Sequence, residues 1–130
     1  MNRMIKFRGK NIETGEWVYG FYIQGGYIKE DGTVKVRHII HSDILYDVEE
    51  SSIGQFTGLY TNGIEIYEGD ILAKENERDK YVIVWNEYYS QFQGMWRKNP
   101  LTAVNIYSMI SLSYKVIGNI HDNPELLKGE

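Results

Sequence analysis

Apolar and polar residues alternate with a period of two along much of this chain, the pattern of strands with one face turned inward. Across Met4–Arg8, Ile5 and Phe7 alternate with Lys6 and Arg8. From Trp17 the alternation is longer. Trp17, Tyr19, Phe21 and Ile23 form one set, Val18, Gly20, Tyr22 and Gln24 the other, and the first set is expected to face the interior. Asn11–Glu16 reads as a turn before this strand. Gly25-Gly26 is expected to fold it back into Tyr27-Ile28-Lys29, and Glu30-Asp31-Gly32 to turn the chain again into a strand from Val34 to Ile40, because glycine and Asp-Gly tolerate the positive φ of tight hairpins. His41–Ser52 has a mixed pattern that fits a loop with one β-bridge. Residues 1–52 thus read as an antiparallel meander.

Residues 53–72 interleave glycines with apolar side chains. Gly54, Gly58, Gly63 and Gly69 are each expected at positive φ, with Phe56, Leu59, Ile64, Ile66 and Ile71 pinning the turns to a core. The stretch reads as a tight connector between two β-rich halves. Beyond it, strands are expected at Ile71–Ala73, Tyr81–Trp85, Phe92–Trp96, Thr102–Tyr107 and Tyr114–Ile120, with Glu75–Lys80 a charged loop. Tyr81–Trp85 is apolar on both faces, as a central strand should be. Asn99-Pro100 stops the return strand, and Ser108–Ser113 fits either a strand or a short helical turn. Asn123-Pro124-Glu125-Leu126-Leu127 predicts one helical turn with Asn123 as its N-cap. The fold class expected is mainly β: the N-terminal meander joined to an SH3-like small barrel over residues 73–130, with little helix.

Composition narrows the functions available. Aromatic residues make up 14% of the chain, with 11 Tyr among them, which favours strands and amphipathic surfaces. The net charge is −4 and neither half is basic, which argues against a protein that grips nucleic acid mainly by neutralising phosphates. Absence of cysteine removes disulfides, thiolate metal sites and a cysteine nucleophile together. No apolar run approaches the roughly 20 residues of a membrane span, and Met1–Arg8 lacks the apolar core of a secretory signal. A cytoplasmic protein without membrane contact is expected.

Several motifs occur in a specific order. They are Lys6-Phe7-Arg8, Trp17-Val18-Tyr19-Gly20, Ile53-Gly54-Gln55-Phe56-Thr57-Gly58-Leu59, and Asn62-Gly63 running into Glu65-Ile66-Tyr67-Glu68-Gly69-Asp70-Ile71. Val116-Ile117-Gly118-Asn119-Ile120 and Asn123-Pro124-Glu125-Leu126-Leu127 complete the set. In these the chain resembles the YopX family of phage and prophage proteins of Gram-positive bacteria along nearly its whole length, outside the variable stretch Glu75–Ser113. The resemblance implies a mostly β, phage-encoded protein, hence one working in a bacterial host cell. It brings no catalytic or binding residues with it.

Candidate chemistry is sparse. His38 and His41 with Asp43 suit zinc by type, but residues three apart on a strand point to opposite faces, and no fourth ligand is evident. Glu65, Glu68 and Asp70 could pair for acid–base work, but Glu68-Gly69-Asp70 reads better as a turn whose aspartate accepts backbone N–H groups. The glycines lack the phosphate-binding and dinucleotide spacings, and no serine sits in a hydrolase elbow. No catalytic residue, metal or cofactor is assigned. The chemistry-bearing surface is aromatic: Trp85, Tyr88, Tyr89, Phe92 and Trp96 on one hairpin, ending in Arg97 and Lys98. A barrel core would take Trp85 and at least one of Phe92 and Trp96. What remains suits a protein interface or, alternatively, a platform for single-stranded nucleic acid. A non-catalytic binder of a protein partner such as a host factor, working as a homo-oligomer, is expected.

Overall fold

A computed structural model describes residues 4–96 and 99–128. The chain divides into two compact units, Met1–Gln55 and Phe56–Glu130. The mainly β class is observed, in two antiparallel sheets.

In the first unit β1 (Phe7–Lys10), β2 (Trp17–Ile28), β3 (Val34–His41) and β4 (Leu45–Asp47) lie in the order β4-β3-β2-β1. β2 does not turn at Gly25-Gly26. It runs straight through and pairs with Arg37 and Val36. A Cβ at Gly26 would stand 2.6 Å from the Lys35 carbonyl oxygen, so this glycine serves close strand approach rather than a turn. The reversal comes at Glu30-Asp31-Gly32, where Lys29 N–H donates to the Thr33 carbonyl and Asp31 accepts from Thr33.

The inward face of β2 is the reverse of the one expected: Tyr19, Phe21 and Ile23 are exposed. Tyr22 is half-buried instead, its ring 5.6 Å from that of Phe7 and its position opposite fully buried Ile40. Both sets on β2 contain aromatic and aliphatic residues, so alternation defines two faces and leaves the partner strand to choose between them. Trp17 is half-buried beneath the Arg8 guanidinium, 4.5 Å from the ring centroid.

β5 (Gly54–Thr61) begins by pairing Gly54 and Gln55 with Arg8 and Phe7. Gly54 is a buried strand residue without positive φ, which corrects the bend expected there; Gly58, Gly63 and Gly69 do have positive φ. In the second unit β5 continues from Phe56 and pairs with β6 (Ile64–Tyr67) across the Asn62-Gly63 turn, and β7 (Asp70–Ala73) follows. Residues 53–72 therefore hold three strands.

With β8 (Lys80–Asn86), β9 (Gln91–Trp96), β10 (Val104–Asn105) and β11 (Lys115–Asn119), β7 forms a five-stranded sheet in the order β10-β9-β8-β7-β11, with β8 central. This sheet is open, not the SH3-like closed barrel expected. The strand expected at Thr102–Tyr107 is cut to two residues because Asn105 caps a helix, α1 (Ile106–Ser111), accepting a hydrogen bond from Ser108 N–H. Ile66, Leu72, Ile83, Ile106 and Met109 make the core, flanked by Phe92, Tyr81 and Tyr114. The turn at Pro124–Leu127 is present, but Asn123 does not cap it: its Oδ1 accepts from Asn119 N–H at 3.2 Å. Among the described residues no helix is long and apolar enough to cross a membrane.

Candidate interaction surface

The β8–β9 hairpin pairs Trp85 with Phe92 and Tyr81 with Trp96, so these four share the face that carries buried Ile83. Phe92 packs against the core, and Trp96 is half-buried. Trp85 is 44% exposed, which corrects its expected place in the core. The sheet ends beside it, and the indole covers Phe92 edge-on, with ring centroids 4.9 Å apart.

The turn beyond is built by Asn86. Its Oδ1 accepts from the backbone N–H groups of Tyr88 and Tyr89 at 3.0 and 3.3 Å, while its Nδ2 donates to buried Gln93 at 2.7 Å. Asparagine favours this geometry because its short amide reaches the backbone two and three residues on. Ser90 completes the reversal at φ 52°. Tyr88 and Tyr89 project as an edge-to-face pair, centroids 4.8 Å apart, and are 87% and 63% exposed. Trp85, Tyr88 and Tyr89 thus stand in solvent at one end of a hairpin whose Phe92 is rooted in the core. Arg97 and Lys98 lie outside the described residues. Between Tyr81 and Trp96 the only acidic or basic side chain is that of Glu87.

The other candidates take structural positions. Tyr22 hydroxyl and His38 Nδ1 are 2.6 Å apart, and His38 Nε2 lies 3.5 Å from a Glu50 carboxylate oxygen, while His41 is exposed. Asp43 engages Tyr46, and that hydrogen bond holds its carboxyl below the ordinary range. Burial, reinforced by the Glu50 charge, raises the Tyr22 phenol. Among the described residues no three His, Asp or Glu side chains gather as metal ligands would. Asp70 is buried and accepts from Tyr67 N–H at 2.7 Å, and Glu65 accepts from the Tyr67 hydroxyl at 3.1 Å.

Sequence reasoning missed a groove of about 670 Å3 in the first unit, bounded by β3, Ile12, Glu13 and Glu49–Ser51. Its walls come from four separate segments, Tyr27 of β2 among them, and no local pattern signals that they meet.

No curated protein matches the chain. The fold is similar to the crystal structure of protein EF1440 from Enterococcus faecalis, with 26% identity and a TM-score of 0.55 over 98% of this chain and 100% of that one. A family model described as YopX protein matches residues 6–128, and the chain accordingly belongs to the YopX family.

Proposed function

We propose that this YopX-family chain is a phage-encoded accessory protein of the bacterial cytoplasm that acts by non-catalytic binding, as a homo-oligomer, to a protein partner such as a host factor. The aromatic turn of the β8–β9 hairpin is its contact surface. One observation carries this reading: Trp85 at the end of β8 and Tyr88 and Tyr89 on the turn fixed by Asn86 are all exposed, and Glu87 is the one charged residue in the stretch between Tyr81 and Trp96. Tyrosine and tryptophan offer large contact areas at little conformational cost, which is why they dominate binding hot spots. A surface for single-stranded nucleic acid would pair such rings with cations, and the described part of this one carries an anion.

The test is quantitative capture from host-cell lysate by immobilised wild-type protein and by a Trp85→Ala/Tyr88→Ala variant whose circular dichroism matches wild type. Loss of roughly 2 kcal/mol, or about thirtyfold in affinity, is expected for one saturable protein partner. Undiminished capture by the variant overturns the assignment. So does salt-sensitive binding of a single-stranded oligonucleotide that the variant loses, which would transfer the surface to nucleic acid.

A further inference from the structure

We propose that the groove beside β3 in the first unit is a second docking site, which takes an extended basic segment of a protein partner as an added strand. It rests on backbone geometry and is independent of the aromatic turn.

β3 pairs with β2 along its whole length but with β4 only from Ile39 to His41. One further bond, from Val48 N–H to the His38 carbonyl, extends that side before the chain leaves into the 3-10 turn at Glu50–Ser52. Backbone groups of a strand point alternately to its two neighbours. On the β2 side the bond from Lys29 N–H to the Thr33 carbonyl sets the odd-numbered positions toward β2. Lys35 and Arg37 therefore bond to β2, whereas Val34 and Val36, in phase with His38, aim their N–H and C=O groups away from β2, Val36 at the wall of the groove and Val34 just beyond its end. Among the described residues no strand pairs with Val34–Arg37 on that side. An open edge of this kind recruits an extended segment by strand addition.

The lining selects the occupant. Carboxylates of Glu13, Asp47, Glu49 and Glu50 outnumber the cations Lys35 and Arg37, and Arg37 is already held by Asp47 in a two-pronged ion pair at 2.9 and 2.7 Å. A second copy of this strand is a poor occupant. Antiparallel self-pairing about Val36 would set Lys35 against Arg37, and like charges directly opposite destabilise a ladder. A segment with lysine or arginine alternating with aliphatic residues meets both the charge and the exposed Val34 and Val36 side chains.

The test uses a fluorescent hexapeptide of alternating lysine and valine, its glutamate-for-lysine counterpart, and a lysine peptide N-methylated at alternate residues. Binding is read by anisotropy, and amide hydrogen exchange is followed by NMR. The lysine peptide is expected to bind and to protect the Val34 and Val36 amides. The glutamate peptide and a Glu13→Lys/Glu49→Lys variant should each lose roughly tenfold or more, and N-methylation in the bonding register should abolish binding. Equal affinity for the lysine and glutamate peptides, or binding without protection at Val34 and Val36, overturns the proposal. Should the double variant fail to fold, the N-methylated peptide on wild-type protein decides. The Trp85→Ala/Tyr88→Ala variant should bind the lysine peptide as wild type does, so failure of one surface leaves the other standing.

Discussion

Asn123 shows what a single residue can do that its local sequence does not announce. Followed by proline, it has the form of an N-cap, yet its carboxamide turns back to the Asn119 N–H, and a Cβ on Gly118 would sit 2.5 Å from its oxygen. Asn123→Ala is expected to cost about 0.5–1.5 kcal/mol, the value of a lost hydrogen bond, in denaturant titration. Faster hydrogen exchange at the Asn119 amide, with Lys128 unchanged, separates this role from capping. Asp47 makes a second prediction. The hydrogen bond from Arg37 holds its carboxyl below the ordinary value. A group whose folded pKa is lowered adds stability above its unfolded pKa and loses it as pH falls through the folded one. Wild-type protein should therefore weaken in acid more steeply than Arg37→Met, measured as denaturation midpoint from pH 5 to 2; parallel curves would contradict the pair. Side-chain hydrogen bonds of this sort were not legible in sequence because Asn and Asp have several partners within reach. The turn glycines were more so: Gly58, Gly63 and Gly69 have the expected backbone, whereas Gly54 is a buried strand residue paired with Arg8.

At the scale of elements, legibility followed locality. Hairpins closed by short-range chemistry, at Asp31-Gly32, Asn62-Gly63 and Asn86–Ser90, appear where their residues place them. The inward face of β2 does not, because a strand apolar on both sides takes its orientation from Ile40 on a neighbour. Helix α1 is the other departure. Its Met109 is buried against β9 so closely that a Cβ at Gly94 would lie 2.6 Å from the sulfur and 3.3 Å from Tyr81 Cβ. Gly94→Ala should then cost about 1–3 kcal/mol by overpacking, read from thermal unfolding, and a neutral result would mean that α1 packs less tightly. The aromatic hairpin itself was visible in sequence, but its division into a rooted Phe92 and exposed Trp85, Tyr88 and Tyr89 depended on where the sheet ended.

For the molecule as a whole, the family was legible because its turn and core motifs are spread over most of the chain. That the second sheet stays open was not, because closure would need long-range pairing between its ends, where β10 has only two residues. The balance of acidic over basic residues, and Glu87 as the one charged residue between Tyr81 and Trp96, favour the protein-binding role proposed for the aromatic turn over nucleic-acid binding. The most direct measurement is oxidative footprinting by mass spectrometry of the protein alone and of the complex recovered from host-cell lysate. Strong protection of Trp85, Tyr88 and Tyr89 is expected in the complex. Unchanged oxidation of all three, in a complex protected elsewhere, would contradict it.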